Sequence, residues 1–469
     1  MNKKKNLFHV LKGMFGFSGN GLSLKEKWYL ALPGPALSIG GVLIHNVFVK
    51  YYTDIIGLDA KYVGWVYIIY NIWNAINDPL LGVYIDRKRY SQKYGKYVYL
   101  LKVTVPFMVV SSFAMMLSSP SWSDWVIFLV YTFELFIYDT AATAYGIAYG
   151  SYTLIAAPTI EERVDINTIN VYVSNALSFF VTMIPTLLLV GDGKRETIIP
   201  VFTAVILGQC LFYWYSLRTL KDKPEMYTTL NEQHISRKEL LRDSWKIMKS
   251  RQFITYVLYS VITLGPVRYY FTPYLYYMDH VIKAGGVAAT VVDAGTHILV
   301  LLFLPVMANI VKKYGTKRSI YWGTIPALLG YTSILFAKSV LAAAVSYVMV
   351  VFTVNYFAMS CSPMGALIID EDERTSGVRK TGLFNGIFAL FITAFSGLQT
   401  VLFTSVISFF GYDGTAKVQS TSAVWGIRIA TGLVPLCMVV AGLIPMFFYP
   451  FDKKKEDEIS TFSKNARKG

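Results

Sequence analysis

Apolar runs of about 20 residues recur along the chain, each long enough to cross a hydrocarbon layer of about 30 Å. Twelve such runs fall at 28–52, 61–85, 97–118, 123–156, 167–190, 197–217, 253–278, 286–311, 319–337, 340–369, 382–410 and 422–449. In lipid, a spanning backbone has to satisfy its own N–H and C=O groups. Only helices and closed barrels do so, and runs this long and apolar are helices. The expected fold class is therefore an all-α membrane protein with 12 transmembrane helices. The fourth and tenth runs exceed the bilayer's need and are expected to tilt or project from it. Composition agrees: 16% of residues are charged, against about 25% in soluble domains.

The net charge of +15 does not read as a nucleic-acid footprint, because Lys and Arg lie in short loops between apolar runs and form no continuous stripe. With the N-terminus inside, 34 of the 44 Lys and Arg fall in cytoplasmic segments and six in outer loops. The positive-inside rule thus predicts a multi-pass plasma-membrane protein (inner membrane, in a bacterium) with both termini cytoplasmic. Residues 1–26 are basic but lack a continuous apolar core and a small-residue cleavage site, so they read as a retained cytoplasmic arm. Cys210, Cys361 and Cys437 all lie in apolar segments and imply neither a disulfide framework nor a metal site. The expected partners are a small-molecule solute and the lipid bilayer, with no nucleic acid, and the expected state is a monomer.

A polar segment divides the runs six and six. The expected organisation is a cytoplasmic arm at 1–26, a six-helix bundle at 27–217, a cytoplasmic linker at 218–252, a second six-helix bundle at 253–450 and a cytoplasmic tail at 451–469. Within the linker, "ISRKELLRDSWKIMKS" reads as an amphipathic helix along the membrane surface. A weak repeat supports two halves. "DRKRYSQKYGKY" follows the second run and "VKKYGTKRSIYW" the eighth, each with a Lys-Tyr-Gly turn in a basic cluster. Two pseudo-symmetric six-helix bundles joined by a linker are the pattern of the major facilitator fold, whose ligand site lies between the halves near mid-membrane.

Polar residues inside a bilayer are costly and call for a reason. Asp78 lies eight residues before Asp86, about 12 Å into its helix. Asn74 is one turn away on the same face, Asn77 adjoins it, and Pro79 frees a backbone carbonyl. Such an oxygen-rich spot suits a hard cation such as Na⁺ or a protonatable carboxylate; a structural polar clamp is the competing reading. Tyr131, Glu134, Tyr138, Tyr145, Tyr149 and Tyr152 form one stripe on the fourth helix. Glu134 in that stripe favours cavity lining over helix packing. Asp139, about 140° round from Glu134, is expected to face elsewhere and pair with a basic group. Arg268 lies between Pro266 and Pro273 in a span expected to be broken, and either binds an anionic solute group or pairs with Glu134, Asp139 or Asp78. Asp293 and His297, four apart, read as a polar pair or a proton relay. The acidic run at 370–373 is expected in a cytoplasmic loop. No Walker loop, dinucleotide fingerprint, zincin helix or Cys/His cluster occurs. No enzyme and no cofactor are expected, and uphill transport would draw on a Na⁺ or H⁺ gradient.

The stretch from Tyr51 to Lys96, "YYTDIIGLDAKYVGWVYIIYNIWNAINDPLLGVYIDRKRYSQKYGK", resembles the glycoside–pentoside–hexuronide:cation symporters, the melibiose permease-like family. The Tyr-Thr-Asp, the Asn-Asp-Pro-x-x-Gly and the later Gly-Lys carry the resemblance, and "IIDEDERTSGVRKTGLF" is similar to that family's acidic loop and Thr-Gly-x-Arg motif. The resemblance implies a cation site with two carboxylates four apart on the second helix; here they are Asn74 and Asp78. It places the family's sugar-proximal acid at Ser38, its fourth-helix acid at Ala148 with the nearby aromatic at Tyr152, its fifth-helix arginine at Val173 and its eleventh-helix lysine at Thr393. Taken with the tyrosine stripe and Arg268, the expected solute cavity touches Ser38, Glu134, Tyr138, Tyr145, Tyr149, Tyr152, Arg268 and Thr393. Gating charge pairs would involve Asp86, Arg87, Asp139 and Arg379. Fewer carboxylates than the family pattern weaken the case for Na⁺ and leave proton coupling or uncoupled facilitation open. The expected function is secondary transport of a sugar, glycoside or uronate by alternating access. The alternatives are a lysophospholipid or other amphipathic solute carrier, and a non-transporting sensor or scaffold.

Overall fold

The computed structural model describes residues 22–466 apart from 88–89, 158–159, 192–193, 223, 225–241, 243–244, 265–268, 378–382, 385–386, 389–390, 393–394, 396–397 and 417. Its helices follow the expected spans in order. We name them α1 (segments Leu24–Ala31, Pro33–Val42, Leu43–Val47, Phe48–Lys50 and Tyr51–Ile55), α2 (Ala60–Arg87), α3 (Tyr97–Leu117), α4 (Asp124–Ala156), α5 (Ile160–Leu189) and α6 (Arg195–Leu217). The second half holds α7 (Arg251–Tyr259, Ser260–Leu264, Phe271–Tyr276 and Tyr277–Val281), α8 (Gly286–Tyr314), α9 (Thr316–Phe336), α10 (Val340–Ser376), α11 (Leu398–Phe409) and α12 (Thr421–Arg428, Ile429–Leu433 and Val434–Phe448), followed by α13 (Lys453–Ala466). Tyr97–Leu117, Asp124–Thr153, Arg195–Leu217, Val340–Ser376 and Thr421–Phe448 are each long and apolar enough to cross a bilayer.

Two expectations change beyond the ends of the tenth and twelfth spans. The acidic run 370–373 is not a loop: α10 continues through it and stops at Gly377, whose φ of 71° suits a residue without a side chain. Helical phase turns Glu371 inward, where it accepts from Arg374 Nε (2.7 Å) and Nη2 (2.8 Å) and meets Lys455 of α13 at 3.2 Å. The hydrogen bonds from Arg374 chiefly hold its carboxyl below the usual glutamate range. The tail is likewise helical, as α13. Most of the expected linker helix lies outside the described residues; 245–249 are helical.

The repeated Lys-Tyr-Gly turns have a shared purpose. Gly95 (φ 73°) and Gly315 (φ 82°) both take left-handed backbone just before α3 and α9. Asp222, beyond α6, accepts from the N–H groups of Lys96 and Val98, both at 2.9 Å. Glu456, beyond α12, accepts from Thr316 N–H at 2.9 Å and from its hydroxyl at 2.5 Å. A Cβ on Gly95 would stand 2.4 Å from Asp222, and one on Gly315 would stand 2.8 Å from Glu456. At the opposite ends, Arg195 donates to the carbonyls of Leu117 (3.4 Å) and Ser118 (2.8 Å), and Arg428 to those of Leu335 (2.8 Å) and Ala337 (2.9 Å). Thus α3 and α9 each carry an anion at the N-terminus and a cation at the C-terminus, which satisfies orphan backbone groups and complements the helix dipole.

The two halves meet where α2 packs on α11 and α5 on α8. They also close tightly at the end carrying residues 50–57. A Cβ on Gly414 would stand 2.2 Å from the Thr53 carbonyl, and one on Gly286 would stand 2.3 Å from that of Leu187. The first helix of each half ends alike. Ile56 N–H bonds the Tyr51 carbonyl (3.0 Å) and Leu58 that of Tyr52 (2.9 Å); Ile282 bonds Tyr277 (3.0 Å) and Ala284 bonds Met278 (2.9 Å). Each wide π turn is followed by one left-handed residue, Gly57 (φ 83°) in the first half and Lys283 (φ 56°) in the second.

Two stability outcomes follow from these turns and caps. Lys283→Gly relieves a side chain in left-handed backbone and should raise stability by about 1 kcal/mol. Glu456→Ala leaves the α9 N-terminus uncapped and should cost about 1–3 kcal/mol. Thermal unfolding of the detergent-purified protein reads both.

Candidate functional site

The polar residues of α2 and α4 meet inside the first bundle. Ile72, Ile76 and Leu80 of α2 are 58%, 56% and 65% exposed and mark its lipid-facing side. Asp78 is two residues from both Ile76 and Leu80, about 200° round the helix at 100° per residue. It is half-buried and lies opposite that exposed apolar stripe. Asn74 and Asn77 are buried beside it.

From α4, Asp139 turns to this spot. Its Oδ1 accepts from the Tyr70 hydroxyl at 2.8 Å, Asn74 lies against it, and the charge of Asp78 acts on it. Asn77 Nδ2 and Trp73 Nε1 both donate to Thr140 Oγ1, at 3.3 and 3.1 Å, and the Thr143 hydroxyl faces Asp78. Three enclosed acceptors have no hydrogen-bond donor among the described residues: Asn74 Oδ1, Asp78 Oδ1 and Asp139 Oδ2. Buried oxygens are ordinarily paired. Lone pairs without donors on these neighbouring side chains are what a bare cation or an added proton would fill.

This corrects the expectation for Asp139. It receives a tyrosine hydroxyl and faces Asp78 instead of pairing with a basic group, because α4 presents that face to α2, which carries no cation there. A second carboxylate thus stands near Asp78, on the neighbouring helix.

The tyrosine stripe is also corrected. Tyr138, Tyr145 and Tyr152 are buried, and the stripe packs on α1 and the end of α6 and does not line a cavity. Tyr145 donates to the Pro33 carbonyl (3.1 Å), Tyr149 to those of Leu30 (2.9 Å) and Ala31 (3.2 Å), and Tyr152 to that of Lys221 (3.1 Å). Pro33, Pro35 and the small residues Gly34, Ala36 and Gly40 let the rings approach, and Pro35 has no N–H to donate to Ala31. Tyr131 stacks on Tyr52 with ring centroids 3.8 Å apart. Glu134 is half-buried, acts electrostatically on Tyr52, and its Oε2 has no hydrogen-bond partner among the described residues.

Ser38 does reach a partly open polar surface. Its hydroxyl lies 3.4 Å from that of Ser174, which donates to Asn170 Oδ1 (3.2 Å), and Asn170 Nδ2 donates to the Tyr149 hydroxyl (3.2 Å). This chain of neutral groups joins α1, α5 and α4 where the family pattern carries charges. Arg268, Thr393 and Arg379 lie outside the described residues, as do the side chains of Asp86 and Arg87. His297 contacts the Tyr270 hydroxyl (2.8 Å) and the Asp293 carbonyl (2.9 Å), forming a local polar pair. An apolar groove lined by Trp73, Val103, Phe107, Phe133, Phe136 and Ala144 lies on α2, α3 and α4 alone, away from the junction of the halves.

Paired helical bundles with polar groups held inside define a multi-pass membrane protein. The chain belongs to the MFS/sugar transport protein family, whose pattern matches residues 29–453. It is 24% identical to the inner membrane symporter YicJ of Escherichia coli, covering 91% of this chain and 92% of that one. It is 23% identical to the isoprimeverose transporter of Lactiplantibacillus pentosus, covering 91% and 89%. Its fold matches the crystal structure of a D-xylose–proton symporter with a TM-score of 0.65 at 15% identity, covering 92% and 98% of the two chains. The family resemblance carried by two motif regions extends over nearly the whole chain.

If the three unpartnered oxygens bind a coupling ion, Na⁺ or added protons should raise the melting temperature by mass action, worth about 2.7 kcal/mol at 100 times Kd. Asp78→Asn and Asp139→Asn should each abolish that rise, which differential scanning fluorimetry across Na⁺ and pH would measure.

Proposed function

We propose that this protein imports a neutral sugar or glycoside by alternating access, coupled to H⁺ or Na⁺ at the Asp78–Asp139 site. The observation that carries the reading is the set of donor-free oxygens of Asn74, Asp78 and Asp139 at the α2–α4 contact. One cation or proton lowers the charge of the two carboxylates from −2 to −1, which makes the site less costly to enclose as the two bundles rock. The Ser38, Ser174, Asn170 and Tyr149 chain supplies both donors and acceptors and no charge, which suits hydroxyl-rich rings over uronates. Names of the relatives, an isoprimeverose transporter among them, support the sugar class. The tight contact of the halves at residues 50–57 supports a state open toward the opposite, cytoplasmic side, under the charge-based orientation. The apolar groove on α2, α3 and α4 supports no lateral portal between the halves and so does not favour an amphipathic substrate.

Asp78→Asn should abolish gradient-driven accumulation in proteoliposomes while sparing counterflow exchange; uphill uptake at the parent rate would remove Asp78 from the mechanism. Ser174→Leu should raise KM for a neutral sugar at least roughly tenfold, the equivalent of about 1.4 kcal/mol of binding, with little effect on ion-induced stabilisation.

A further inference from the structure

We infer that Lys50 is the latch closing the outer side of the carrier and that His280 makes this latch respond to outside pH. Lys50 is fully buried, with its side chain 0% exposed. It lies one turn from Asp54 in α1 and contacts that carboxylate, and it crosses between the halves to Asp279 of α7 at 2.7 Å. The Tyr276 ring of α7 lies beneath its ammonium, 4.7 Å to the centroid. Three further bonds tie the halves at the same point: Tyr412 hydroxyl to Asp54 Oδ1 (2.6 Å), Thr53 hydroxyl to Tyr276 hydroxyl (2.6 Å), and Gly191 N–H to Asp279 Oδ1 (2.9 Å). Among the described residues, the ion pairs joining the two halves are those of this cluster. Removing Lys50 from it would leave two half-buried carboxylates without their ammonium, whereas keeping Lys50 buried requires the halves to stay together.

The location follows from pseudo-symmetry. The π turns Tyr51–Ile55 and Tyr277–Val281 are equivalent, so Asp54 and His280 occupy equivalent positions, and they meet at 3.3 Å. His280 Nε2 also lies 3.3 Å from Lys50 Nζ, 2.9 Å from the Tyr412 hydroxyl and 3.6 Å from Asp279. The groups facing it are thus Lys50 and Asp54 of α1, Tyr276 and Asp279 of α7, and Tyr412 beyond α11. With His280 neutral, the cluster holds two carboxylates and one ammonium and carries a net negative charge. A proton on His280 balances it. Acid outside therefore holds the latch shut, and alkaline conditions loosen it.

The inference concerns conformation and is independent of which solute or ion is carried, so it is tested on conformation. Spin labels at Ser121 and Lys338, exposed on the outer ends of opposite halves, would be placed in a chain with Cys210, Cys361 and Cys437 replaced. Distances would be read by double electron–electron resonance. Lys50→Met should shift the closed-to-open ratio toward the longer outer distance by at least roughly 100-fold, and Lys50→Arg should stay close to parent. Tyr412→Phe deletes one hydroxyl; it should shift the ratio the same way by less, and it carries the test should Lys50→Met not fold. From about pH 8 to pH 5 the parent should move toward the shorter distance, and His280→Gln should lose that dependence. Parent-like distances in Lys50→Met, or in Tyr412→Phe where it stands in, would overturn the latch; an undiminished pH response in His280→Gln would overturn the sensor.

Discussion

Lipid offers no water to an unpaired polar group, and every departure from a plain rod in this protein is constrained by that absence. A helix end inside or near the bilayer exposes four donors or four acceptors. Here α3 and α9 are closed at both ends by charged side chains from neighbouring elements. The same rule governs the wide turns ending the first helix of each half, where the backbone re-forms its bonds one residue further back. The bundle is thus held by backbone satisfaction as much as by apolar contact, since lipid chains are as apolar as leucine.

Against that background, the two polar clusters divide by whether their bonding capacity is filled. At Lys50, an ammonium, two carboxylates, an imidazole and three hydroxyls bond one another across the halves, so the cluster resists opening. At Asp78 and Asp139 the acceptors outnumber the donors. Saturation fits a latch; a surplus of lone pairs fits an ion or proton site. The first cluster joins the bundles and the second lies within one of them, so binding at one and breaking of the other can alternate as the bundles rock.

Much of the fold was legible from hydropathy because spanning helices have only one way to satisfy their backbones. The paired turns after the second and eighth helices were legible too, since Lys-Tyr-Gly marks a left-handed residue followed by a helix start. The partners Asp222 and Glu456 were not: they lie more than 100 residues away from the ends they cap. The tyrosine stripe was recognised but misassigned, because periodicity says which residues share a face and not what that face meets. Asp139 was misassigned for the same reason. Lys50 and Asp54, four apart, were a visible signal whose importance depended on a turn 225 residues later.

The sequence by itself determined a chain of spanning helices in two related halves, a carboxylate at Asp78 within a spanning helix and the family to which the chain belongs, because these depend on local hydropathy, charge placement and short motifs. Tertiary structure alone decided that Asp139 lies near Asp78, that the tyrosines pack on α1, and that Lys50 bridges the halves. Each of those depends on which helix stands opposite, and that is settled by packing among elements far apart along the chain.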